Sequence, residues 1–128
     1  MYFVASDKRT VYSYDFNKKT GKVSNKIDLI RVPKKRGFPD GICTDKDGHI
    51  WVAYWGGGCI VRHTPKGKIE KIIKIPKKNV TSLCFGDKKL DTIFVTTAED
   101  NLNSKLKKSG KIYRIKTNIC GKKINYFL

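Results

Sequence analysis

Short runs of alternating apolar and polar residues recur along this chain, separated by turns rich in glycine, aspartate, asparagine and lysine. A period of two with β-branched and aromatic residues in the apolar places describes strands with one buried face. The pattern predicts strands at Tyr2 to Ala5, Thr10 to Phe16 and Lys22 to Val32, with turns at Asp7 to Arg9 and Asn17 to Gly21. Further strands are expected at Ile42 to Thr44, Ile50 to Trp55, Cys59 to His63 and Lys68 to Ile75. Asp45-Lys46-Asp47-Gly48, Gly56-Gly57-Gly58 and Pro65-Lys66-Gly67 provide the reversals between them. The last part of the chain predicts Ser82 to Phe85, Thr92 to Thr97 and Lys111 to Lys116, a polar loop from Glu99 to Ser109, and a weak strand near Ile124 to Phe127.

Four short antiparallel strands in succession form one blade of a β-propeller. The fold class expected is therefore all-β, with blade units at about 1–33, 38–76 and 80–128. The segments Tyr2-Phe3-Val4, Trp51-Val52-Ala53 and Phe94-Val95-Thr96 correspond between units, at blade-like spacings of roughly 43 to 49 residues. Only the middle unit has all four strands written clearly, and the chain opens in mid-blade. Three blades do not close a ring, so apolar blade faces are expected to need a partner.

Composition changes this picture less than its charge first implies. The 128 residues carry 28 Lys and Arg against 11 Asp and Glu, a formal net charge of +17. Such a balance raises polyanions as partners. The positives, however, are mostly lysines at turns and loop edges, and the aromatics sit inside strand patterns, whereas nucleic-acid readers favour arginine and exposed aromatics. A solvated lysine surface is the expectation, and nucleic acid is disfavoured. The four cysteines show no zinc spacing and are read as reduced, buried thiols. Strand sequence from the first residues and the lack of an apolar run near the ~20 residues of a membrane span favour the cytoplasm and no membrane.

Candidate chemistry is sparse. Asp45, Asp47 and Gly48 lack the spacing and closing glutamate of a calcium loop, so a hairpin turn is expected. His49 and His63 are isolated, as surface or strand positions. The three glycines do not lead into a phosphate-binding helix, and no nucleophile elbow occurs. Trp51 fits the core, and Trp55 the mouth of a central channel. Taken alone, Pro39-Asp40-Gly41 is an ordinary turn.

The ordered set Phe38-Pro39-Asp40-Gly41, Asp45 to Gly58 (DKDGHIWVAYWGGG), Thr81 to Ala98 (TSLCFGDKKLDTIFVTTA) and Ser109 to Ile115 (SGKIYRI) resembles the senescence marker protein, gluconolactonase and regucalcin family of six-bladed propellers. The resemblance spans nearly all of this chain and the C-terminal half of such a protein. It implies that Asp40 ligates a divalent cation at the channel mouth, calcium first with zinc, magnesium or manganese as alternatives, and acts as general base in opening a sugar lactone. The family's other ligands, a Glu and an Asn, fall in the half with no counterpart here. Ala5 and Glu99 depart from the family pattern, and Cys59 replaces a more usual basic residue. The expectation is a divalent-metal-dependent sugar-lactone hydrolase completed by a second copy or by a partner with the remaining blades. The alternative is a non-catalytic half-propeller, either a remnant or a basic module binding polyanions.

Overall fold

The computed structural model describes residues 1–99 and 110–123. Its strands are β1 (Tyr2–Ala5), β2 (Thr10–Phe16), β3 (Val23–Arg31), β4 (Phe38–Thr44), β5 (Ile50–Trp55), β6 (Cys59–His63), β7 (Ile69–Lys74), β8 (Val80–Gly86), β9 (Thr92–Thr97) and β10 (Ile112–Lys116). They form three antiparallel sheets in the orders β1-β2-β3, β4-β5-β6-β7 and β10-β9-β8. Within each sheet, strands consecutive in the chain lie side by side and antiparallel, as in the blades of a propeller. The strand expected near Ile124 to Phe127 and most of the loop from Glu99 to Ser109 lie outside the described residues.

The middle sheet is buried on both faces because the strict alternation of β5 and β6 sends apolar side chains to each side in turn. Ile50, Val52, Tyr54, Cys59 and Val61 pack toward Val11, Ile30 and Val32 of the first sheet and its margin. Trp51, Ala53 and Ile60 pack toward Val80, Leu83, Ile93 and Val95 of the third. Trp51 is fully buried, as expected, and meets Phe85 edge to face at 5.7 Å. The outer strands β3 and β7 are largely exposed.

Two local expectations are corrected. Pro39-Asp40-Gly41 lies within strand β4: Phe38 pairs with Trp55 and Pro39 with Tyr54 before the register shifts ahead of Ile42. Proline is tolerated there because β4 is an edge strand, and the shift lets Asp40 and Gly41 leave the ladder. The connection before it winds into a short 3-10 turn at Lys34–Arg36. The cysteines are all free, but only Cys59 is buried; Cys43 and Cys120 are half-buried and Cys84 is exposed. Burial, with Cys84 and Asp45 nearby, pushes the Cys43 thiol up to about 12, which makes it a poor nucleophile. No helix among the described residues is long and apolar enough to cross a membrane.

His63 is a strand residue, fully buried, with its Nε2 3.1 Å from the Tyr54 hydroxyl. Burial holds its pKa down at about 4. The unfolded chain therefore takes up a proton near pH 6.5 that the folded chain refuses. Stability is complete above that pH and declines as pH falls toward 4, by roughly 3 kcal/mol in all. In urea denaturation at a series of pH values, His63→Gln is expected to flatten this decline. A variant whose profile runs parallel to the parent's would exclude His63 as its cause.

Candidate functional site

Strands β1, β4 and β5 deliver their connections to one end of the sheets, where Ser6, Asp7, Phe38, Pro39, Asp40 and Trp55 line a hollow of about 320 Å³. Two side chains from the β1–β2 turn clamp the start of β4. The Ser6 hydroxyl donates to the Pro39 carbonyl at 2.8 Å, and Arg9 Nη1 donates to the carbonyls of Gly37 and, at 3.4 Å, Lys34. The Arg9 guanidinium also lies 3.7 Å from the centre of the Phe38 ring. Asp40 thus sits on fixed backbone beside two aromatic walls.

Asp40 is half-buried. Burial pushes its carboxyl above the usual carboxylate range, and the backbone N–H of Gly41 partly offsets that. A raised pKa makes the carboxylate a better proton acceptor, the direction a general base requires. Trp55 is partly exposed along the hollow. Asp7 shares the lining, and sequence reasoning missed it because an aspartate in a turn carries no signal of its own.

Glycine follows Asp40 for a steric reason. A Cβ built on Gly41 would stand 2.7 Å from Ser82 Cα and would also collide with the Ser82 side chain, so β4 and β8 approach as closely as backbone allows. Gly41→Ala is expected to force the sheets apart at a cost of about 1–3 kcal/mol. Denaturant titration should show that loss, with partial recovery in the Gly41→Ala/Ser82→Gly double variant. No recovery would place the strain elsewhere.

The turn residues Asp45 and Asp47 do not form a second site. Asp45 is fully buried, and its carboxylate accepts from the Asp47 and His49 N–H groups at 3.0 Å, Trp51 Nε1 at 2.9 Å and Arg62 Nε at 2.8 Å. Burial alone would raise its pKa, but the Arg62, Trp51 and His49 bonds outweigh it and hold the group below the usual range. Arg62 also reaches Glu70, and His49 Nε2 lies 3.4 Å from that carboxylate. These charges brace the blade.

Residues 1–99 match the family described as the SMP-30/gluconolactonase/LRE-like region. The chain belongs to that family. Among relatives of this SMP-30-like chain, pentonolactonase XacC of Haloferax volcanii is 41% identical over 97 residues, which cover 76% of this chain and 33% of that protein. Regucalcin of Bos taurus is 38% identical over 105 residues, covering 81% and 35%. A luciferin-regenerating enzyme structure superposes with a TM-score of 0.85 at 32% identity, over 95% of this chain and 43% of that one. The SMP-30-like chain therefore spans between a third and under half of the lengths of these proteins.

A divalent cation of the kind the resemblance implies needs several hard oxygen ligands. Among the described residues no three His, Cys, Asp or Glu side chains come together to hold a metal ion, and Asp40 and Asp7 offer only two carboxylates to the hollow. A cation held at the hollow would need further oxygen ligands besides these two carboxylates.

Proposed function

We propose that this chain is part of a divalent-cation-dependent hydrolase of sugar lactones, calcium being the first choice of ion, with Asp40 as general base and one oxygen ligand. The observation that carries this reading is Asp40 itself, raised in pKa, held on clamped backbone and facing a hollow walled by Phe38 and Trp55. A water oxygen adds to the lactone carbonyl carbon while Asp40 takes its proton. The ring C–O bond then breaks, and the proton passes to the leaving alkoxide, so that lactone and water become a hydroxy acid. The aromatic walls suit the apolar faces of a sugar ring.

The remaining cation ligands, a Glu and an Asn in the family, would come from a partner chain that carries the other blades; a second copy could complete the ring but would not bring them. Exposed Phe3 in the first sheet and Ile112 in the third are apolar surface for such contacts. Four free cysteines suit a reducing compartment, and we place the protein in the cytoplasm. One observation favours the alternative, a non-catalytic half-propeller: among the described residues no three His, Cys, Asp or Glu side chains cluster to hold a metal ion.

Light scattering on the purified chain, with and without Ca²⁺, identifies the assembled form. Hydrolysis of D-glucono-1,5-lactone by that form is then followed by pH-stat. Asp40→Asn is expected to lower turnover by about 10²–10⁴-fold with little change in the denaturation midpoint. Turnover untouched by the substitution, or absent from every assembled form, would sink the catalytic reading.

A further inference from the structure

Beside the Asp40 hollow lies a second concavity of about 420 Å³, and the two share the side chains of Phe38 and Trp55. Its other walls bring together Arg9, Lys34, Lys35 and Lys78, with Glu99 as the one carboxylate among the lining residues. These cations come from three separate parts of the chain: the β1–β2 turn, the 3-10 turn before β4 and the β7–β8 connection. We propose that this groove binds the phosphate of a phosphorylated sugar lactone whose reactive carbonyl lies at Asp40. The inference rests on the lactone-hydrolase reading and names the substrate class for that site.

Lysines spread on a convex surface point away from one another into water and need no ligand to explain them. Here Arg9, Lys34, Lys35 and Lys78 line one concavity, where a cleft focuses the field of its walls on small ions. Among the described residues, none of the four cations has a carboxylate within ion-pair distance. Arg9 is held in place by its carbonyl partners and the Phe38 ring, so one cation is fixed in advance. Close backbone approach fixes the wall as well. A Cβ on Gly37 would stand 2.7 Å from the Gly57 nitrogen, so the 3-10 turn is pressed against the β5–β6 turn.

A phosphate dianion suits this set better than a single carboxylate. Lysine binds phosphate as a mobile point charge, and the groove is lined by three lysines besides a fixed arginine. The shared aromatic pair spans the distance between the two hollows. A sugar ring resting on Phe38 and Trp55 would reach Asp40 on one side and the cations on the other.

Trp55 provides the readout, because it lines both hollows while Trp51 is fully buried. The full chain is titrated at constant ionic strength with inorganic phosphate, glucose 6-phosphate and glucose, following tryptophan emission, with Trp55→Phe to confirm the origin of the signal. Saturable binding of both phosphates is expected, tighter for glucose 6-phosphate, with glucose at least tenfold weaker. Lys34→Ala/Lys35→Ala/Lys78→Ala should weaken glucose 6-phosphate at least tenfold. Lys18→Ala/Lys19→Ala/Lys22→Ala, which removes equal charge from the β2–β3 turn at the far end, should change it less than twofold.

No saturation by either phosphate, or equal weakening in both triple variants, would overturn the groove. Binding of inorganic phosphate without preference for glucose 6-phosphate over glucose would overturn the substrate class. Asp40→Asn keeps the groove intact and should still bind glucose 6-phosphate. Turnover that ignores Asp40 beside intact phosphate binding would thus condemn the catalytic reading alone.

Discussion

Asp45→Ala should destabilise the folded chain by about 3–5 kcal/mol, the range for breaking a buried ion pair by removing one partner. The loss has several parts. Arg62, only 8% exposed, would keep Glu70 and Asp47 but lose its fully buried partner. The backbone N–H groups of Asp47 and His49 and the indole N–H of Trp51 would lose their acceptor in the same step. For a domain of ordinary stability this approaches half of what it has. Urea titration measures it, and Asp45→Asn separates the charge from the hydrogen bonds because an amide oxygen can still accept. A loss below about 1 kcal/mol for Asp45→Ala would mean that water replaces the carboxylate easily and the site is not sealed. Because the carboxyl is held below its usual range, its contribution is present at neutral pH and lost as pH falls through the folded-state pKa. Acid therefore weakens the protein through Asp45 and His63 in the same direction.

Gly37→Ala should cost roughly 2–6 kcal/mol, from two sources. Gly37 has φ 86° and ψ −151°, a conformation found almost only in glycine, and forcing a side chain to adopt it costs about 1–3 kcal/mol. The added Cβ would also strike the Trp55 carbonyl oxygen and approach the Gly57 nitrogen to 2.7 Å, and displacing packed backbone costs about 1–3 kcal/mol more. The lesion lies at the join between the two hollows, so Trp55 emission should shift along with the denaturation midpoint. Gly21→Ala is the comparison: Gly21 also has positive φ, at 69°, but nothing lies within 4 Å of its added Cβ. If the two variants lose equally, the backbone angle alone is responsible and the collision is relieved at no cost.

The unbroken β-branched and aromatic run of β5 made the middle sheet legible, because successive strand side chains point to opposite faces and such a run suits burial on both. Trp51 could be assigned correctly to the core, while Trp55 is partly exposed beside the hollows. Asp40 could be singled out through the motifs around it, while its surroundings could not. Pro39-Asp40-Gly41 has turn composition and nevertheless runs in a strand, since its conformation is decided by pairing with Tyr54 and Trp55 and by contact with Ser82. Those partners lie up to 41 residues away in sequence, beyond the reach of any local pattern. Arg62 was hidden for the same reason: within β6 it reads only as a polar residue after the apolar run Cys59-Ile60-Val61, and only the folded turn places Asp45 against it. The groove cations come from three chain segments, so no single lysine pair announces them.

The sheets are not joined with equal strength. Between the second and third, backbone is bonded to backbone: Lys46 N–H to the Cys120 carbonyl at 3.0 Å, Lys122 N–H to Thr44 at 3.3 Å, and a bridge from Asp45 to Gly121. Between the first and second, the described bonds run from side chains, those of Ser6 and Arg9, over a shared apolar layer. Heat or denaturant should therefore peel the first sheet away before the other two part, leaving an intermediate in which amides of β5, β6 and β9 stay protected from exchange while those of β2 do not. In such a half-open molecule Arg9 has left Phe38, and the wall that lines both hollows has come apart while the core around Trp51, between the second and third sheets, persists.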